Sequence, residues 1–197
     1  MDPISSPSEH DVLIVVDVQN DFCPGGALAV ATGAQVAAAM TRAAAAFADS
    51  GAKVYATRDW HPVGHASFVE QGGPWPPHCV QETVGAEPHP DLSLPDDAVV
   101  IHKGASIDKD AYSGFVDSGL EDQLKAADIT RLFVGGLATD YCVLNTVVDA
   151  LDLGFETHVL TDAIGAVEAE PNDGLRALHL MEASGARLST IVDVLAS

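Results

Sequence analysis

Three residue types that can act together on an acyl carbon stand at separated points of this chain. Cys142 lies in Thr139-Asp140-Tyr141-Cys142, Asp17 follows the apolar run Leu13-Ile14-Val15-Val16, and Lys103 follows Val99-Val100-Ile101-His102. A cysteine at a helix start gains thiolate character from the backbone N–H groups and the positive dipole end there, which suits a nucleophile. The plainer role is that of a small buried hydrophobe, which free cysteine often fills. A carboxylate closing an apolar strand is partly desolvated, so its pKa rises toward the range useful for a general base. A turn-forming Asp is the alternative, and Asp21 fits it better than Asp17. Lys103 is one of only four lysines; a solvated surface role suits it poorly at the carboxyl end of a strand.

A second constellation is Asp59-Trp60-His61 with His65, followed by Trp75-Pro76-Pro77-His78. On an extended segment Asp-x-His turns both side chains to one side, and His78 can return from the loop as a third donor. Two histidines and a carboxylate, with positions left for water, form a common catalytic metal arrangement. An N-cap Asp with histidines that only hydrogen-bond is the bland reading. Three of the eight histidines fall between positions 61 and 78, a concentration that favours the metal.

Elements that could position these groups follow from the patterning. Short β-rich runs at Val12–Val16, Lys53–Thr57, Ala98–His102, Leu132–Val134, Thr157–Leu160 and Leu188–Ile191 alternate with predicted helices at Ala34–Asp49, Leu120–Ala127, Asp140–Leu153 and Asp173–Ser184. Thr32 and Gln35 have capping-box spacing ahead of the first helix. Alternation of this kind means α/β architecture, and the continuous apolar runs mean strands covered on both faces. Ligand crevices in such sheets lie outside the carboxyl ends of the strands. Asp17, Asp59, Lys103 and Cys142 all fall there, on four separate segments. The Pro-, Gly- and His-rich stretch Asp59–Asp97 breaks the rhythm, and a loop that long in a compact domain is usually functional.

Composition bounds the partners. The 197 residues carry a formal net charge of −20, which repels phosphate backbones and anionic lipid heads, so neither nucleic acid nor membrane is expected. Apolar runs such as Val12–Val16 and Val147–Leu151 are far too short to span a bilayer. Met1 to His10 shows no secretory pattern, and three cysteines (Cys23, Cys79, Cys142) form neither an even disulfide set nor a CxxC pair. A reducing cytoplasmic setting with free thiols is the expectation.

Taken together, Val16-Asp17-Val18-Gln19-Asn20-Asp21-Phe22, Asp59-Trp60-His61-Pro62, Trp75-Pro76-Pro77-His78-Cys79, Lys103-Gly104 and Gly135-Gly136-Leu137-Ala138-Thr139-Asp140-Tyr141-Cys142-Val143 resemble the nicotinamidase (pyrazinamidase) branch of the isochorismatase-like cysteine hydrolases. The resemblance runs nearly the whole chain and implies one domain over residues 1–197. It implies a three-layer α/β/α Rossmann-like fold with a six-stranded, mainly parallel sheet. The implied reaction is hydrolysis of nicotinamide to nicotinate and ammonia, as in NAD salvage, by a monomer or small homo-oligomer. The implied triad is Asp17, Lys103 and Cys142. A cis peptide at Leu137–Ala138 would turn the Ala138 and Cys142 N–H groups into an oxyanion hole. The same resemblance makes Asp59, His61 and His78, with His65 as a fourth in some members, the ligands of one divalent ion: zinc or iron, sometimes manganese. It makes Phe22, Leu28, Trp75, Tyr112 and Leu137 the walls around the ring.

Rival readings remain at this level. Amidases acting on N-carbamoyl or ureido compounds share the Asp, Lys and Cys but usually lack the Asp-x-His set. Isochorismatase proper does not use the cysteine. A catalytically idle scaffold would need neither metal nor thiol.

Overall fold

The computed structural model describes residues 5–195. Six strands, β1 (Asp11–Val16), β2 (Lys53–Asp59), β3 (Val99–Lys103), β4 (Arg131–Leu137), β5 (Glu156–Gly165) and β6 (Arg187–Ser189), form one sheet in the order β3-β2-β1-β4-β5-β6. Each pairing is parallel, so the sheet is wholly rather than mainly parallel. The helices are α1 (Gly33–Asp49), α2 (Leu120–Ala126), α3 (Leu144–Asp152), α4 (Asp173–Ala183) and α5 (Ile191–Leu195).

Strand alternation divides the apolar residues of β1 between two cores. Leu13 and Val15 face α1 and α5, packing with Met40, Phe47, Phe133 and Val194. Val12, Ile14 and Val16 face the α2, α3 and α4 layer, with Leu120, Leu124, Val147 and Met181. Every β1 residue is therefore buried, as its unbroken apolar run requires. α1 presents Val36, Met40, Ala43, Ala44 and Phe47 on one face at helical spacing. Phe47 meets Phe133 edge-on with ring centroids 5.0 Å apart. Truncating either ring to Ala in so dense a layer costs about 3–5 kcal/mol.

The structure departs from the sequence-based expectation at several element ends. β2 runs on to Asp59 and β3 to Lys103, so both polar residues are the last of their strands. β5 extends to Gly165, and β6 stops at Ser189 because Ile191–Leu195 folds into the short helix α5. Thr32 precedes α1 but makes no side-chain cap. The largest difference concerns the predicted helix from Asp140. Thr139–Val143 forms a wide π-type turn, and regular α-helix begins only at Leu144.

Strand order reverses direction between β1 and β4, which opens a crevice beyond their carboxyl ends. The long segment after β2 closes over that crevice. It contains two short 3-10 turns, Val69–Gln71 and Val84–Ala86, and is tied down by bridges pairing His61 with Val80, Phe68 with Trp75 and Gln19 with Pro88. Among the described residues no helix is long and apolar enough to cross a membrane.

Candidate active site

β1 leaves the sheet at Asp17, whose backbone takes a left-handed conformation (φ 46). Asp tolerates that region better than most residues. The turn sends its fully buried carboxylate over the sheet edge, where Oδ1 accepts a hydrogen bond from Thr57 Oγ1 at 2.7 Å. Lys103, delivered by β3, is also wholly buried, and its Nζ lies 2.9 Å from Asp17 Oδ2. Nζ also lies within hydrogen-bonding reach of Asp59 Oδ1, of the Ala111 carbonyl at 3.0 Å and of Cys142 Sγ at 3.4 Å. Asp17 Oδ2 has a charge contact but accepts no directed hydrogen bond. It is left as a proton acceptor beside the sulfur, since the Asp17, Asp59 and Cys142 ligand atoms all lie within 4.8 Å of one another.

Electrostatics assign the resting protons. Burial would drive the Lys103 ammonium toward neutrality, but the Asp17 and Asp59 carboxylates outweigh it and hold the lysine charged. Burial raises the Asp17 carboxyl above its usual range against the pull of Lys103, and Asp59 adds to the rise. Burial likewise pushes the Cys142 thiol well up; Lys103 opposes this, and the carboxylates of Asp17 and Asp59 reinforce it. This corrects the expectation of a helix-stabilised thiolate. Cys142 sits inside the wide turn rather than at an α-helix start, and it is sealed among two carboxylates. Burial therefore favours the thiol over the thiolate at Cys142.

Asp59 divides its carboxylate between two tasks. Oδ1 accepts from Lys103, while Oδ2 lies 3.6 Å from His61 Nε2 and 4.0 Å from His78 Nε2. Burial works against its charge, yet Lys103 and His61 hold the carboxyl well below the usual range. The His61 Nδ1–H donates to the Gly104 carbonyl at 3.0 Å, and the His78 Nδ1–H to the Pro76 carbonyl at 2.8 Å. A carbonyl can only accept, so Nδ1 carries a proton in both rings, and Nε2 is the atom each ring turns toward Asp59. All three side chains are buried, and their ligand atoms lie within 4.8 Å of one another. Two imidazoles and one carboxylate, already oriented from behind, fit a divalent metal ion.

His65 is close but engaged elsewhere. Its ring stacks on His61 at 4.1 Å, while Nδ1 lies 2.7 Å from Ser67 Oγ and Nε2 3.1 Å from the Lys109 carbonyl. It groups with His61 and Asp110 rather than with Asp59 and His78.

Cys142 and His78 line one cavity together with Phe22, Leu28, Asp59, Trp75, Tyr112, Ala138, Tyr141 and Val167. Aromatic and aliphatic side chains make up most of this lining, as in small-molecule sites generally. The Trp75 indole donates to the Tyr112 hydroxyl at 2.9 Å and meets Tyr141 edge-on at 5.0 Å. Of the wall residues expected from sequence, Phe22, Leu28, Trp75 and Tyr112 line the cavity. Leu137 does not, because as the last β4 residue it points into the core beneath. The Leu137–Ala138 peptide is cis, and Ala138 lies at the cavity wall.

Sequence reasoning assigned no role to several residues that build this site. Tyr141 and Val167 line the cavity. Gln19 is buried and clamps the Asp59 backbone: Oε1 accepts its N–H at 2.9 Å and Nε2 donates to its carbonyl at 2.8 Å. A buried amide beside a predicted site strand is a usable signal for such a clamp. For Val167, eight residues past the middle of an apolar run, no signal existed.

The Isochorismatase domain family matches residues 11–193. The nicotinamidase of Escherichia coli is 42% identical over 202 residues, covering 92% of this chain and 95% of that protein. Pyrazinamidase of Pyrococcus horikoshii, crystallised in complex with zinc, superposes with a TM-score of 0.88 at 45% identity, covering 92% of this chain and 99% of its own. PnC1 of L. infantum, crystallised in complex with nicotinate, gives 0.84 at 36% identity over 95% of this chain and 96% of its own.

Proposed function

This chain belongs to the isochorismatase domain family, and from that premise we propose that it is an amidohydrolase converting nicotinamide to nicotinate and ammonia, and pyrazinamide to its acid. The observation that carries the reading is one cavity lined both by a thiol, Cys142, and by two side chains of the donor cluster, His78 and Asp59. A ring carboxamide needs both: a nucleophile at the exocyclic carbon and a partner for the ring nitrogen. Asp59, His61 and His78 would hold a divalent ion, zinc or ferrous iron, which when bound supplies Lewis-acid contact to that nitrogen. The donor set and the zinc complex of the P. horikoshii relative support this. We read residues 1–197 as a single cytoplasmic hydrolase domain.

In the mechanism we assign, Asp17 takes the thiol proton as Cys142 Sγ attacks the carboxamide carbon. Lys103 stays charged and balances the Asp17, Asp59 and sulfur charges through the step. The developing oxyanion is received by the Ala138 and Cys142 N–H groups, and losing such a donor costs on the order of 100-fold in rate. Asp17 returns its proton to the departing ammonia, leaving a thioester. It then takes a proton from the water that releases the acid. The clustering of Asp17, Lys103 and Cys142, three segments distant in sequence, supports these roles.

Ammonia release from nicotinamide, pyrazinamide and a set of ureido compounds tests the reading. Turnover of the ring carboxamides, lost on chelation and restored by zinc, is expected. Turnover of the ureido compounds alone would overturn it in favour of the N-carbamoyl amidases.

A further inference from the structure

Val167 is one of the aliphatic residues of the cavity wall, and it stands on a loop rather than on a strand. β5 ends at Gly165 and α4 begins at Asp173, so nothing in the sheet ladder fixes Ala166 to Glu168. Two carboxylates hold this loop instead. Asp140 Oδ1 accepts the Val167 N–H at 3.0 Å, and its Oδ2 accepts the Glu168 N–H at 3.0 Å. Glu168 in turn accepts the Asn172 N–H at 2.7 Å and the Gly174 N–H at 3.0 Å, tying the loop to the start of α4. The approach there is close enough that a Cβ on Gly174 would meet Ala166 Cβ at 2.7 Å and Glu168 Oε1 at 2.8 Å.

Asp140 therefore spans two parts of the site. Its backbone belongs to the wide turn that carries Cys142, and its side chain grips the loop that carries Val167. The Asp140 side chain thus links the turn that carries the sulfur directly to the loop that carries Val167. We infer that Asp140 is a positioning residue that determines ring selectivity: by fixing Val167 it limits the cavity to an unsubstituted six-membered ring and rejects ring-methylated carboxamides. The inference rests on the proposed carboxamide hydrolase function. Asp140 touches no reacting atom in this scheme and acts only through Val167.

The test combines steady-state kinetics with nicotinate binding followed by quenching of Trp75, which lines the cavity. Substrates are nicotinamide and its ring-methylated forms; proteins are the parent, Val167→Ala, Asp140→Ala, Asp140→Asn and the Asp140→Ala/Val167→Ala double variant. Asp140→Ala should raise KM for nicotinamide and weaken nicotinate binding by about tenfold, the scale of losing one aliphatic contact in a pocket, with a smaller change in kcat. Discrimination against at least one methylated ring should fall by about the same factor. Val167→Ala should do likewise. The double variant should be no worse than Asp140→Ala alone, because residues acting through one contact are not additive. Asp140→Asn, which keeps one oxygen to accept the Val167 N–H, should fall between parent and Asp140→Ala. Additive effects, or an Asp140→Ala protein whose kcat falls while KM and selectivity hold, would assign Asp140 to the nucleophile's turn and overturn the inference. If Asp140→Ala fails to fold, selectivity of Val167→Ala and Asp140→Asn decides the matter: unchanged selectivity in both overturns it. A parent protein that neither binds nicotinate nor hydrolyses any ring carboxamide would instead bring down the functional reading, and this inference with it.

Discussion

The His61 imidazole lies directly over Gly104, with its Nδ1 3.0 Å from the Gly104 carbonyl oxygen. Gly104 has a left-handed φ of 62, and a Cβ there would sit 2.5 Å from His61 Cε1 and 2.8 Å from Nδ1. Both steric room and ring tautomer at His61 therefore depend on the residue after Lys103. Gly104→Ala is expected to lower metal affinity about 10- to 100-fold, the range for loss of support behind a metal-bound histidine. Competition titration against a chromophoric chelator measures this without recourse to turnover; unchanged affinity would dissociate Gly104 from the donor cluster.

Metal content separates the donors from their neighbour. Asp59→Ala, His61→Ala and His78→Ala should each leave purified protein with little bound ion, whereas the parent carries close to one per chain. His65→Ala should retain its ion, since both its ring nitrogens contact Ser67 and Lys109 rather than facing Asp59. Elemental analysis by plasma mass spectrometry reads all four, and full occupancy in the first three would exclude those ligands.

The three thiols differ in environment, and their chemistry should follow. Cys142→Ala is expected to abolish ammonia release, with Cys23→Ala and Cys79→Ala keeping most of it. Burial, aided by Asp91, pushes the Cys23 thiol up to about 11, and burial with Asp59 raises Cys79 well above the ordinary value. Neither should react with a small alkylator near neutral pH. Because burial and carboxylates raise Cys142 too, its alkylation rate in chelated protein should still be climbing above pH 8. A plateau at lower pH would mean a preformed thiolate. Lys103→Ala, which removes the opposing cation, should slow the reaction further.

A fourth expectation concerns acid stability at the far end of β1. Asp11 is buried, which raises its carboxyl, but paired hydrogen bonds from Arg131 and bonds from Ser8 win and hold it below the usual value. A depressed folded-state pKa stabilises the protein above the unfolded value near 3.9 and loses that contribution as pH falls through the folded value. Asp11→Asn should therefore cost about 1–2 kcal/mol at pH 7 and flatten the decline in stability below about pH 4. Urea unfolding at several pH values checks both; equal slopes for parent and variant would show that Asp11 carries no such linkage.

Much of this architecture was legible in residue patterning because parallel sheets covered on both faces demand continuous apolar runs, as in Val12–Val16. The positions of Asp17, Asp59, Lys103 and Cys142 followed from one topological rule about strand ends. Cooperative geometry was harder to read. Asp140 to Val143 has the spacing of a helix start, and nothing in the residue types announces the wide turn in which Cys142 is buried and its thiol favoured. Val167 gained its place through the carboxylate of Asp140, 27 residues earlier, a link invisible to periodicity. The resemblance left His65 between ligand and neighbour, and local spacing does not reveal that its ring nitrogens face Ser67 and Lys109.

Lys103 is carried by β3, the outermost strand, which pairs only with β2. Cys142 follows β4 near the centre of the sheet. The two halves of the charge system thus have unequal tenure. An opening confined to the sheet margin would withdraw the ammonium and the Gly104 platform beneath His61, and Ile101 with them, yet leave the nucleophile and most of both hydrophobic cores in place. Local unfolding of margins requires less free energy than global unfolding. Catalytic competence is thereby tethered to an edge strand, and under mild denaturant it should fail while the sheet as a whole still stands.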